Sequence, residues 1–247
     1  MTKNKFLFAA VIISATIVSC SKDKSETPQP GTTIDNSIAF KPKNFDPLKI
    51  GLTARFEFDG SLVDSTGSLK DATPIVGKAS YTTDRKGTPD HAMAFDGTNG
   101  LQILGVPLDV NVSVAVWVQS KCYPIIGNVP FVEGQHSFSL TQLESTYQAG
   151  YWSNIPGPGQ YVETSAGREW HHLAATRDAV ELKFYVDGIL VGSSPSPAGA
   201  VPAISASEYI LGFGWNAGYL YWIGSMDDLR FYKRVLSSSD VDKLAHL

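Results

Sequence analysis

Basic residues, cysteines and long hydrophobic runs are all scarce in this chain of 247 residues. Lysine and arginine total 20 against 24 acidic residues, so the net charge is -4 and no excess of positive charge is present to neutralise phosphates. This composition argues against nucleic acid as a partner. Charged residues make up only 18% of the chain, whereas 22 glycines, 14 prolines and 11% aromatics are typical of an all-β chain with many turns.

The N-terminal hydrophobic run is too short to cross a bilayer. Residues 6–18 are uncharged and mostly apolar and follow two lysines, whereas a membrane-spanning helix needs about 20 such residues. This pattern is typical of a secretory signal peptide. The small residue Ser19 directly before Cys20 resembles the lipobox of bacterial lipoproteins. We therefore expect residues 1–20 to be a lipoprotein signal peptide and Cys20 to be lipidated, with a plain signal peptide cut nearby as the alternative.

Localisation follows from the same region. Residues 21–24 (SKDK) loosely resemble the short charged tag that directs lipoproteins of the Bacteroidota to the cell surface. The sequence thus predicts a bacterial cell-envelope protein that contacts the outer membrane only through its lipid anchor and is exposed at the surface. Lipidation of Cys20 leaves Cys122 as a lone thiol, which excludes an intramolecular disulfide.

The rest of the chain divides into two parts. Residues 21–48 are polar, contain four prolines and show little apolar periodicity, which predicts a flexible tether. Residues 49–247 are predicted to form a single folded domain.

Short strands dominate that domain. Residues 112–118 alternate so that four valines share one face and Trp117 lies on the other. Asp187 and Gly188 separate two β-prone runs, which predicts a two-residue hairpin turn. His171 and His172 are adjacent on a predicted strand, so their side chains should point to opposite faces. A helix is predicted only at the C-terminus, where residues 237–240 are typical of a capping box.

Several motifs, in order, resemble those of laminin-G-like domains of the concanavalin A-like superfamily. They are residues 56–67 (FEFDGSLVDSTG), 94–99, 113–118, 170–174, 182–188 and 224–237. The resemblance covers nearly all of the domain and implies an all-β jelly-roll sandwich of two antiparallel sheets. The superfamily includes glycan-binding, adhesion and glycosidase-associated modules, so the resemblance implies the fold more firmly than the function.

Catalytic residues are not predicted. Laminarinase-type glycosidases of this architecture carry a Glu-x-Asp-x-x-Glu pattern, because retaining hydrolysis needs two carboxyl groups about 5 Å apart. Glu57 and Asp59 begin that pattern, but Leu62 occupies its third acidic position. We therefore expect a non-catalytic protein, and a degenerate glycosidase is the weakest alternative.

A structural calcium ion is one expectation for the acidic loops. Calcium binds six to eight oxygens from carboxylates, backbone carbonyls and water. The resemblance implies an ion held by Asp59 and Asp64, which flank one tight loop, together with Asp227 on a later strand. In the alternative interpretation each aspartate only accepts hydrogen bonds from backbone amides in a turn.

Aromatic residues are concentrated in two glycine-containing segments, residues 147–161 and 213–222. Flat aromatic rings can stack on the apolar face of a sugar, while amide side chains bind its hydroxyl groups. The candidate ligand-binding residues are Trp152, Asn154, Trp215, Asn216 and Tyr219. Exposed rings could equally contact a partner protein, because Trp and Tyr are common interface anchors.

The sequence therefore predicts a non-catalytic, surface-anchored, lectin-like module that binds a glycan. The alternative is a protein–protein adhesion or scaffold lipoprotein of an envelope complex, whose partner is a surface protein.

Overall fold

The computed structural model describes residues 45–122, 128–135, 137–151, 160–165, 167–196, 206–214 and 221–247. Phe45 to Leu247 form one compact unit, which begins four residues before the predicted boundary at residue 49. The first described element is a short 3-10 helix, Pro47–Lys49, which Asp46 caps by accepting a 2.9 Å hydrogen bond from the Leu48 amide.

The described residues form fifteen strands and one α-helix. In chain order these are β1 (Leu52–Phe56), β2 (Thr73–Val76), β3 (Tyr81–Thr82), β4 (Ala92–Asp96), β5 (Gly100–Pro107), β6 (Val112–Ser120), β7 (Asn128–Gly134), β8 (Phe138–Leu143), β9 (Thr146–Tyr151), β10 (Gln160–Ser165), β11 (Trp170–Arg177), β12 (Glu181–Val186), β13 (Ile189–Pro195), β14 (Ala206–Leu211), β15 (Ile223–Tyr232) and α1 (Ser238–Leu244).

The strands form two antiparallel sheets. The eight-stranded sheet has the order β13-β12-β11-β6-β15-β4-β3, with β1 also paired to β15. The seven-stranded sheet has the order β10-β9-β8-β7-β14-β5-β2. This architecture confirms the predicted all-β class, with two antiparallel sheets and a short C-terminal helix.

The core lies between the two sheets. Val114, Val116 and Val118 of β6 are fully buried in it, as their alternation predicts, and they pack with Phe131 of β7. Trp117 points to the other side of its sheet, where its ring centroid lies 5.3 Å from that of His172. The sheet faces therefore follow the period of two that the sequence shows.

A smaller apolar cluster covers part of the outer side of the eight-stranded sheet. Leu48 of the 3-10 helix and Val241 of α1 pack there against Ala174 and Tyr232. Ser237 caps α1, and its side chain and that of Asp240 form the predicted capping box. Neither described helix has the length and apolar character that a bilayer span requires.

The predicted hairpin between β12 and β13 is also confirmed. Asp187 and Gly188 have φ values of 50° and 83°, so both turn residues occupy the left-handed region that a primed turn requires. A Cβ atom at Gly188 would lie 3.2 Å from the Cα atom of Asp242 in α1, so this turn also packs closely against the C-terminal helix.

Candidate functional site

The predicted anchor and ligand-binding residues lie outside the described residues; these are Cys20, Trp152, Asn154, Trp215, Asn216 and Tyr219. The structure does describe the residues that border the two aromatic segments. Tyr151 ends β9 and Gln160 begins β10, while Gly214 and Tyr221 flank residues 215–220. All four therefore mark where the predicted ligand-binding segments meet the described fold.

One row of paired residues crosses the seven-stranded sheet beside these borders. From β10 to β5 the row consists of Tyr161, Gly150, Ser139, Glu133, Ile210 and Gln102. A second pairing joins Glu163, Gln148 and Thr141. Directly paired residues share one side of a sheet, and the flanking residues Leu101, Leu140 and Ala149 lie in the core. These rows therefore point away from the core, although Ser139, Thr141, Gln148 and Ile210 within them are buried.

We call this outward side the polar face and define it by Gln102, Glu133, Ser139, Thr141, Gln148, Tyr161, Glu163 and Glu208. Two of its carboxamides are held by carboxylates on neighbouring strands. Gln148 donates from Nε2 to Glu163 Oε2 at 2.7 Å, and Gln102 Nε2 donates to Glu208. Such pairs fix which end of each carboxamide is directed to the carboxylate.

Tyr161 and Glu133 lie three strand spacings apart in the row, about 14 Å between their backbones. Only Gly150 and Ser139, which have small side chains, separate them. The ring of Tyr161 is partly exposed, and burial together with the charge of Glu133 raises the pKa of its phenol. The same row thus contains a partly exposed aromatic ring and a carboxylate whose charge acts on that ring's phenol.

Gly214, the residue before Trp215, lies directly against the polar face. A Cβ atom at this position would be 2.6 Å from Glu133 Oε2 and 2.6 Å from Pro130 Cγ. Gly150, which belongs to the row, is the residue before Tyr151 and pairs with Tyr161. Both aromatic segments therefore border the row that contains Tyr161 and Glu133.

Asp64, one of the three predicted calcium ligands, closes its own loop. Its carboxylate accepts backbone hydrogen bonds from Arg55, Thr66, Ser68 and Leu69 at 2.9, 3.1, 3.0 and 2.8 Å. Burial raises the pKa of Asp64, but these hydrogen bonds outweigh burial and lower it below its usual value. Asp64 thus has the turn-forming role that the alternative interpretation describes.

The other two predicted ligands border one polar cavity of about 230 Å³ on the outer side of the eight-stranded sheet. Asp59 contacts His91 Nδ1 at 3.0 Å, and Asp227 forms an ion pair with Arg85. Burial raises the pKa of Asp227 to about 7, and the nearby Asp228 adds to this effect although Arg85 opposes it.

The structure therefore brings Asp59 and Asp227 to one cavity, whose lining does not include Asp64. Within the described ranges, no group of three or more His, Cys, Asp or Glu side chains is arranged to hold a metal ion. Asp64 would have to exchange its amide hydrogen bonds for a metal contact. The calcium ion stays a prediction.

A buried polar cluster underlies the same cavity. The Arg85 guanidinium lies 5.0 Å from the centre of the Trp117 ring, which in turn packs on His172. Asp228 accepts hydrogen bonds from Arg230 at 2.9 and 2.7 Å and from Arg55 at 2.8 Å. Burial raises the pKa of Asp228, but both arginines outweigh it and lower the value to about 2. These contacts hold the β3–β4 connection against the sheet.

Sequence reasoning missed the polar face, because the strands β7, β9 and β10 were not predicted. A usable signal was present: residues 122–167 contain no lysine or arginine, although this stretch holds three glutamates. A cation-free run with alternating polar residues would have indicated a distinct outer surface.

Two antiparallel sheets packed around a common core place the protein in the jelly-roll class of β-sandwiches. A laminin-G family model described as the Concanavalin A-like lectin/glucanases superfamily matches residues 95–242. The chain belongs to this superfamily, as the sequence motifs predict. A search of the curated proteins finds no match.

Solved structures share the fold at low sequence identity. Domain 4 of AbnA, an extracellular GH43 arabinanase from Geobacillus stearothermophilus solved in complex with arabinotriose, has 22% identity and a TM-score of 0.64. The match covers 78% of this chain and 98% of that domain. The binding domain of botulinum neurotoxin serotype D has 13% identity and a TM-score of 0.61.

A structure of botulinum neurotoxin type C, whose cell entry is described as dependent on two ganglioside molecules, has 10% identity and a TM-score of 0.63. Both toxin matches cover 79% of this chain, which spans about half of each toxin structure, 50% and 51% respectively. At these identities the similarity establishes the fold.

Proposed function

We propose that the protein is a non-catalytic module that binds a glycan through the polar face and the two aromatic segments that border it. One observation carries the proposal: Gly214 contacts Glu133 and Gly150 pairs with Tyr161, so both segments leave the sheet beside the same row. Trp152, Trp215 and Tyr219 would stack on sugar rings, with Asn154 and Asn216 binding hydroxyl groups. Structures of similar fold that are described with arabinotriose or gangliosides support this assignment.

The absence of catalysis is part of the proposal. Glu57 is paired with Arg55 at 2.6 Å, Asp59 contacts His91, and Leu62 stands where a third carboxylate would be needed. We expect a bound oligosaccharide to be recovered intact after prolonged incubation. Cleavage that is lost in Glu57→Gln or Asp59→Asn would contradict this part.

A glycan array probed with the chain from Ser21 to Leu247, followed by titration calorimetry, tests binding. Trp152→Ala, Trp215→Ala and Tyr161→Ala should each weaken binding about tenfold or more, because a stacked ring contributes on the order of 1–3 kcal/mol when it is buried by ligand. Tyr81→Ala is the matched control, since Tyr81 is a partly exposed aromatic on the other sheet. A blank array, or equal affinity in all four variants, overturns the proposal.

The proposed location is the bacterial outer membrane, with Cys20 lipidated and the domain at the surface. Metabolic labelling with a radioactive fatty acid should be lost in Cys20→Ala, and externally added protease should digest the wild-type protein on intact cells. Retained label in the variant would overturn the anchor, and protection from protease would overturn surface exposure.

An adhesion or scaffold role is the second candidate, and an exposed apolar strand favours it. Ile189, Leu190 and Val191 of β13 are 72%, 47% and 37% exposed at the edge of the eight-stranded sheet. Edge strands of this kind can pair with another protein. If this role is correct, Leu190→Ser abolishes crosslinking to an envelope protein in cells while glycan arrays stay blank.

A further inference from the structure

The charge distribution of the seven-stranded sheet is one-sided. Within its seven strands, as the structure describes them, every charged residue is a glutamate: Glu133, Glu163 and Glu208. The strands of the other sheet contain Arg55, Arg177, Lys183 and Arg230. The lack of cationic residues is therefore specific to the strands of the seven-stranded sheet, because basic and acidic residues nearly balance over the whole chain.

All three glutamates belong to the polar face. Glu163 and Glu208 hold the carboxamides of Gln148 and Gln102, and Glu133 lies between them in the β7 strand of the row. The bordering segments add no compensating charge, since residues 152–159 (WSNIPGPG) and 215–220 (WNAGYL) contain no charged side chain.

This chemistry discriminates between classes of glycan. A sugar hydroxyl can donate to a glutamate oxygen and accept from a glutamine amide, so a neutral sugar finds both kinds of partner. A uronate, sulfate or sialate group brings a negative charge to three carboxylates, and within the strands of this face there is no cation to offset it. Like charges about 7 Å apart near a protein surface repel by enough to weaken binding by about threefold to fiftyfold, depending on how strongly water and salt screen them.

We infer that the glycan bound at the polar face is neutral, and that Glu133, Glu163 and Glu208 weaken the binding of anionic glycans. This inference rests on the proposed function. It adds a specificity that the fold alone does not imply, because it depends on three side chains of this sequence.

Three forms of one polymer test the inference. The parent polysaccharide is the strongest neutral ligand on the array; the second form is its partially carboxymethylated derivative, and the third is the methyl ester of that derivative. The ester has the bulk of the added group without its charge, so comparing the second and third forms isolates the electrostatic effect. We expect the carboxymethylated form to bind the chain from Ser21 to Leu247 about tenfold more weakly than the ester at low salt, with a smaller gap at high salt.

Two triple variants locate the effect. The first variant combines Glu133→Gln, Glu163→Gln and Glu208→Gln. It should reduce the difference in affinity between the carboxymethylated polymer and its ester to about twofold or less, because the carboxylates are removed while hydrogen-bonding groups remain. The control variant combines Glu57→Gln, Glu169→Gln and Glu181→Gln, which lie outside the polar face. It has the same change in net charge and should leave the difference in affinity unchanged. Circular dichroism establishes that both variants are folded.

The outcomes are distinguishable. Equal or tighter binding of the carboxymethylated form to the wild-type protein overturns this inference alone, as does closure of the gap by the control variant. Absence of binding to every neutral and anionic glycan overturns the proposed function and the inference with it.

Discussion

The imidazole rings of His171 and His172 leave adjacent residues of β11 on opposite faces of one sheet, and their pKa values shift in opposite directions. His172 is buried beside Trp117, and burial lowers its pKa from 6.5 to about 3. His171 donates from Nδ1 to Asp187 Oδ2 at 2.8 Å, and this hydrogen bond raises its pKa above 6.5. The opposite faces are those that the sequence predicts.

His172 should make the protein sensitive to acid. Its folded-state pKa is depressed, so its contribution to stability is complete above pH 6.5 and is lost as the pH falls toward 3. At pH 5 the loss is about 2 kcal/mol, because the unfolded state gains a proton that the folded state does not. Urea unfolding at pH 7 and pH 5 should show this loss in the wild-type protein and a smaller one in His172→Gln. Equal pH dependence in both proteins would contradict the prediction.

His171 should behave in the opposite sense. Its raised pKa means that the stabilisation is present below pH 6.5 and disappears as the pH rises through the folded-state pKa. NMR titration of the ring protons should give a midpoint above 6.5, which returns toward 6.5 in Asp187→Asn. Ser65→Ala, a substitution in a loop without contact to His171, serves as the control. A midpoint at or below 6.5 in the wild-type protein would refute the assignment.

Asp64 should be one of the most sensitive polar positions. Asp64→Ala leaves four backbone amides of one loop without an acceptor, and we expect it to cost about 3–5 kcal/mol. Asp71→Ala is the matched control, because the exposed Asp71 accepts one amide hydrogen bond, from Asp64, at 3.3 Å. It should cost less than about 1 kcal/mol. Chemical denaturation measures the free energy of unfolding of both variants. A similar loss in the two would show that the hydrogen bonds of Asp64 do not account for its contribution to stability.

Calcium binding remains open to a direct test. If Asp59, Asp64 and Asp227 hold an ion, EDTA should lower the melting temperature by several degrees, since ligand at 100 times its dissociation constant stabilises by about 2.7 kcal/mol. Asp59→Asn should remove the difference between calcium and EDTA, whereas Asp96→Asn, in a separate exposed turn, should preserve it. An unchanged melting temperature after chelation contradicts the predicted ion and favours the turn-forming role of Asp64.

The parts of the fold that local sequence determines were predictable. The valine alternation in β6, the Asp187–Gly188 turn and the Ser237 cap depend on neighbouring residues, and the structure confirms all three. β9 was missed although Tyr147 and Tyr151 are core residues, because Ala149 and Gly150 have low strand propensity. Its strand character depends on pairing with its neighbours β8 and β10 rather than on the strand propensity of its own residues.

The site was less predictable for a similar reason. The pairing of Tyr161 with Gly150 and of Ser139 with Glu133 joins four strands, and the row exists only once their register is fixed. The cluster of Arg85, Asp228 and Arg230 likewise requires the β3–β4 connection to fold over a strand more than a hundred residues away. Sequence could nominate Asp59 and Asp227, but their separate partners, His91 and Arg85, became visible only in three dimensions.

Leu48, near the start of the described chain, packs with Val241 on the outer side of the eight-stranded sheet. The first described residues therefore lie on the outer side of the eight-stranded sheet, and both sheets separate them from the polar face. A label or fusion partner joined directly at Phe45 would therefore begin on the side of the domain opposite the polar face, and the two could be modified independently.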